Sequence, residues 1–82
     1  MTDNIKYEIT KFIGTISERN DGYGNRWTKE VNLVAWNGRD AKVDIREWNA
    51  DHSRMSKGIT LTREEAEVLY MRLDGFLKEG KE

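Results

Sequence analysis

The chain has 82 residues, 14 Lys/Arg against 15 Asp/Glu, a formal net charge of −1, no cysteine and one histidine. That is room for one small domain, with no disulfide, thiolate metal site or histidine-rich metal site, and it excludes an indiscriminate polycation. No apolar run approaches the roughly 18 residues of a membrane span, and no signal-peptide pattern opens the chain, so a soluble cytoplasmic protein without a cofactor is expected. A core this small with no covalent staple predicts a homodimer.

Met1 to Asn4 is polar and expected to fray. Ile5, Tyr7, Ile9 and Ile13 then alternate with polar residues and predict a long first strand. Gly14 inside that run suggests a bulge, and Ile16 beyond it has the opposite parity. Asn20 to Asn25, with two glycines, is a loop. Trp27 to Trp36 is the second strand and Ala41 to Trp48 the third, joined through Asn37-Gly38. A polar turn and a short strand ending at Leu61 follow. Thr62-Arg63-Glu64-Glu65 is a capping box that opens the helix. Ala66, Leu69, Tyr70, Leu73, Phe76 and Leu77 recur at helical spacing as one apolar face, and Gly80 marks a stop. The predicted class is α+β: four antiparallel strands, then one helix, in a single domain over residues 1–82.

The register of the central hairpin follows from its pattern. A two-residue turn would mix the faces. A three-residue loop, Asn37-Gly38-Arg39, instead pairs Leu33 with Val43, Val31 with Ile45 and Glu30 with Arg46. Val31, Leu33, Val43 and Ile45 are then the core face. The solvent side carries Trp36, Val34, Lys42, Glu30, Arg46, Thr28 and Trp48. Aromatics there can stack on unpaired bases while Lys and Arg meet phosphates, a combination suited to single strands rather than to groove reading. The same residues also fit a solvated lattice, with Glu30 and Asp44 pairing Arg46 and Lys42. Trp27 and Lys29 share parity with Val31, so they face the core unless the strand curls. Val68, Met71 and Gly75 lie off the helix's main apolar face, either as ordinary exposed residues or as a dimer interface.

No catalytic constellation is visible. Asp44 and Glu47 have opposite strand parity, which separates the only tempting carboxylate cluster. His52, in a polar turn, reads as a solvent-exposed side chain, and no enzyme is expected.

Asp44-Ile45-Arg46-Glu47-Trp48, then Lys57-Gly58-Ile59-Thr60-Leu61 and a helix, resemble the C-terminal domain of the positive-cofactor-four family of single-stranded-DNA-binding transcriptional coactivators. The layout of the whole chain is similar to the bacterial YdbC-like branch. The resemblance is close from Val34 to the early helix. It implies a curved four-stranded sheet, a dimer through the helices, and grooves in which aromatics stack on bases and cations contact phosphates. Trp36 matches the family's aromatic before the hairpin turn, Arg39 a basic residue after it, Arg46 the arginine of Asp-Ile-Arg-Glu, and Lys57 the lysine of Lys-Gly-Ile. Where the family commonly has two adjacent aromatics after Arg-Glu, Trp48 is followed here by Asn49. Without a Ser-rich or acidic arm, partner-recruiting coactivator functions do not carry over.

The expected activity is therefore sequence-tolerant binding of single-stranded DNA, serving transcription, replication or repair. Trp36 and Trp48 are the stackers, Trp27 a weaker one, and Lys29, Arg39, Lys42, Arg46 and Lys57 the phosphate partners. Single-stranded RNA binding, or docking of a peptide on exposed aromatics, is the alternative.

Overall fold

The computed structural model describes residues 5–80; the expected fraying of Met1 to Asn4 lies outside them. Four strands form one antiparallel sheet in the order β1 (Tyr7–Asn20), β2 (Arg26–Trp36), β3 (Lys42–Asn49) and β4 (Ile59–Leu61), followed by helix α1 (Arg63–Glu79). The hairpin register is the expected one: Leu33 opposite Val43, Val31 opposite Ile45 and Glu30 opposite Arg46. Asn37 and Gly38 both have positive φ, at 52° and 76°, which is what lets the Asn-Gly pair reverse the chain so tightly. β1 slips register against β2 three times, around Thr10, Ile13 and Ile16. Each extra residue bends and twists the strand.

The helix begins as its sequence dictates. Thr62 Oγ1 accepts from the Glu65 amide at 3.1 Å, and the Glu65 carboxylate accepts from the Thr62 amide at 2.9 Å, which completes the capping box. Packing does not follow the expectation, however. No residue of α1 is buried, and Tyr70, Leu73, Phe76 and Leu77 are all exposed.

The two faces of the sheet are also filled differently from the expected pattern. Val34 and Trp48 have no exposed surface, and Asn32, Asp44 and Glu30 on the same face are 1–4% exposed. Val31, Leu33, Val43 and Ile45, the anticipated core, are only half-buried. Two segments explain the reversal. Tyr7, opposite Trp36 in β1, packs its ring 5.3 Å from that of Trp48. The turn after β3 folds back so that His52 lies 5.4 Å from Trp48 on ring centroids and accepts the Tyr7 hydroxyl on its carbonyl at 2.6 Å. That closes a lid of aromatic and turn residues over the face expected to meet solvent.

Gly58 is where β4 approaches β3. A Cβ there would collide with the Arg46 side chain and the Ile45 carbonyl. Gly58→Ala should therefore destabilise the fold by about 1–3 kcal/mol, as overpacking does, read as a lower urea midpoint. An unchanged midpoint would show that β4 shifts freely.

Candidate nucleic-acid interface

The polar side chains of the lidded face are organised around two buried carboxylates. Asp44 has no exposed side-chain surface; it accepts from Arg46 Nε at 2.6 Å, Arg46 Nη2 at 2.8 Å and the Thr60 hydroxyl at 2.9 Å. Glu30 accepts from the Thr28 hydroxyl at 2.6 Å and from Asn32 Nδ2 at 3.1 Å, and its Oε1 lies 2.9 Å from His52 Nε2. Of the solvated lattice offered as the alternative for this face, Glu30 and Asp44 with Arg46 and Lys42, the structure forms Asp44–Arg46, but both carboxylates are buried, and Glu30 takes His52 as its partner. His52 is not the free turn residue expected: its φ is +60° and its side chain is 37% exposed. Nothing in the local sequence signals this, because the contact depends on where the turn lands.

The candidate stackers fall in different settings. Trp36 is half-buried at the end of β2, with the Arg46 guanidinium 4.7 Å from its ring centroid and Tyr7 at 6.0 Å. Trp48 is enclosed between Tyr7 and His52 and offers no surface to a base, which corrects its expected exposure. Trp27 is half-buried near the β1–β2 loop, where Nε1 donates to Asp21 at 3.2 Å and the Arg19 guanidinium lies 5.8 Å from the ring. Phe12, also on β1, is 58% exposed.

The candidate cations divide as well. Arg39 and Lys42 are exposed beside the Asn37-Gly38 turn, next to Trp36. Lys29 and Lys57 are exposed on the rim of a cleft of about 540 Å³ whose walls include Arg46, Ser56 and Gly58. None of these four forms an ion pair among the described residues. Arg46 differs, being 13% exposed and paired. Asp44 and Glu47 point apart as expected, and Glu47 is held by Arg19 through two bonds of 2.9 Å.

The sequence profile of the transcriptional coactivator p15 (PC4) family matches residues 24–71, from the loop before β2 into the helix. An uncharacterized protein of Treponema pallidum (strain Nichols) is 45% identical over 72 residues, covering 88% of this chain and 78% of its own. The chain belongs to the PC4 family. PC4 domains are non-enzymatic and known for binding single-stranded DNA. The PC4 match includes Trp27, Trp36, Trp48 and every candidate cation. Tyr7, which closes the lid, stands outside it. No helix among the described residues is long and apolar enough to cross a membrane.

Among the described residues, four carboxyls, Asp21, Glu30, Glu47 and Asp51, are held below their ordinary values and tie the stability of this PC4 domain to pH; Glu30 and Asp21 illustrate how. Burial pushes the Glu30 carboxyl up, but the bonds from Thr28, His52 and Asn32 outweigh it and leave it below its ordinary 4.5. Asp21 is held down at about 2, chiefly by the Tyr23 amide and, against burial, by Trp27 and Asn25. Both bind protons more weakly folded than unfolded. The stability they contribute is therefore full above the ordinary values of 4.5 and 3.8 and is lost as pH falls through the folded ones. In urea titrations across that acid range, Glu30→Gln should flatten the upper part of the decline and Asp21→Asn the lower part. Acid limbs identical to the unsubstituted protein's would contradict this assignment.

Proposed function

We propose that the chain binds single-stranded DNA with little sequence preference, as a homodimer, by stacking bases on Trp36 and meeting phosphates with exposed cations. The observation that carries the reading is the placement of Trp36. It is a partly exposed indole within the matched PC4 segment, immediately before a turn that presents Arg39 and Lys42, neither of which forms an ion pair among the described residues. Stacking requires bases outside a duplex and contributes about 1–3 kcal/mol per base, and it tolerates sequence because every base has a π-face. Lys29 and Lys57 extend the cationic track along the neighbouring cleft. Trp27 adds a secondary aromatic at the far end of β2. Trp48 supports the face from beneath, as packing rather than as a platform. The setting in the cell is the cytoplasm.

What the single chain leaves uncovered supports the dimer. Between sheet and helix lies an almost wholly apolar cleft of about 490 Å³, lined by residues such as Ile13, Ile16, Val31, Val43, Leu69 and Leu73. The helix presents Val68, Met71 and Phe76 to solvent at 49–65% exposure, and around Gly75 there is open space for a second backbone. Apolar surface of this kind on a chain this short is an association surface. A second copy's helix has the apolar character to fill it.

Trp36→Ala should weaken oligo-dT binding at least tenfold with the fold intact by circular dichroism, and a matched duplex should compete poorly. Lys42→Gln should lower the slope of log K against log salt by about 0.7, one phosphate's worth for a single strand. Unchanged affinity in both variants would overturn the assignment. Salt-insensitive binding of peptides would instead favour a protein-docking face, and equal affinity for an RNA strand would widen the substrate to both nucleic acids. Leu73→Glu should convert the dimer to a monomer in light scattering. A variant that stays dimeric and equally stable would refute the helix interface.

A further inference from the structure

Granted single-stranded binding at Trp36, we infer that Arg46 is a positioning residue that fixes the Trp36 indole, rather than a phosphate contact. A guanidinium has five N–H donors in one plane. Here Nε and Nη2 hold both oxygens of Asp44 at 2.6 and 2.8 Å, and Nη1 donates to the Ser56 carbonyl at 3.3 Å and approaches Met55 Sδ at 3.6 Å. Four of the five donors are therefore engaged within the protein. The charge is balanced by a carboxylate with no exposed surface, and only 13% of the Arg46 side chain reaches solvent. A phosphate approaching it would meet a neutral pair and would have to displace charge-assisted bonds that already have fork geometry.

What remains available is the flat face of the guanidinium, and it lies 4.7 Å from the centroid of the Trp36 ring. The bidentate bond sets the plane of the guanidinium, and the plane in turn limits how the indole can rotate. The Ser56 carbonyl ties the same group to the turn before β4. A base arriving at Trp36 thus meets a ring whose orientation is already set, which avoids the cost of immobilising it on binding. Lysine cannot substitute, because an ammonium has neither the plane nor the fork.

The test compares Arg46→Lys, which keeps the charge, with Lys42→Gln, which removes an exposed one. Anisotropy with labelled oligo-dT over a salt series is read beside fluorine NMR of the 5-fluorotryptophan-labelled free proteins. Arg46→Lys should weaken binding about tenfold with the salt slope unchanged, whereas Lys42→Gln lowers the slope by about 0.7. In the free protein, Arg46→Lys should shift and broaden the Trp36 fluorine signal while leaving that of Trp27 in place. Wild-type affinity in Arg46→Lys with an unmoved Trp36 signal would overturn the inference. So would an Arg46→Gln variant whose slope falls by the same 0.7 as a lost phosphate contact. Should the Arg46 variants fail to fold, the Arg46 Nε–H resonance of the unsubstituted protein decides. It should keep its position when oligo-dT saturates the site, and a large displacement would mark a direct phosphate contact. If the unsubstituted protein binds no strand at any salt, the proposed function fails, and the fluorine comparison alone still decides whether Arg46 fixes the indole.

Discussion

A carboxylate with no exposed surface has to be compensated, and the compensation of Asp44 organises much of this molecule. Its oxygens are taken up by Arg46 on the same strand and by the hydroxyl of Thr60 on β4. The first partner brings a planar cation onto Trp36; the second fastens the three-residue β4 to β3. The same guanidinium reaches the Ser56 carbonyl, so the chain between β3 and β4 is held at both ends. Strand pairing, turn placement and the setting of Trp36 therefore share one buried charge pair.

Around that pair the sheet has two unlike surfaces. One is closed within the chain by Tyr7, Trp48 and His52, with the Asp44 and Glu30 carboxylates hydrogen-bonded and Val34 sealed beneath. The other is apolar and left open, because α1 touches the sheet near its start and buries none of its own side chains. A short chain cannot cover both faces of a four-stranded sheet with one helix. The covered face is consequently the polar, aromatic one, and the uncovered face is the one rich in isoleucine, valine and leucine. The cations Lys29, Arg39, Lys42 and Lys57 stay exposed.

The near-zero net charge is compatible with phosphate recognition for the same reason. Three carboxylates of the sheet are committed to partners within the chain: Asp44 to Arg46, Glu30 to His52, Glu47 to Arg19. Asp21 is turned inward to staple the β1–β2 loop, accepting from the Tyr23 and Asn25 amides and from Trp27. Which charges are free thus matters more for steering a polyanion than the total.

The amino-acid sequence by itself determined whatever depends on neighbours along the chain or on strand periodicity. The capping box at Thr62, the Asn37-Gly38 reversal, the pairing of Val31 with Ile45 and of Glu30 with Arg46, and the irregularity of β1 near Gly14 were all legible. So was the family, through Asp44-Ile45-Arg46-Glu47-Trp48 and Lys57-Gly58-Ile59. Parity says which side chains share a face, but not which face is covered. The burial of Trp48, the engagement of Arg46 by Asp44 and the Glu30–His52 pair arise only when Tyr7 and the turn after β3, distant in sequence, converge on the sheet. Alternation is a one-dimensional signal, whereas the lid that decides exposure is a three-dimensional contact between segments about 45 residues apart.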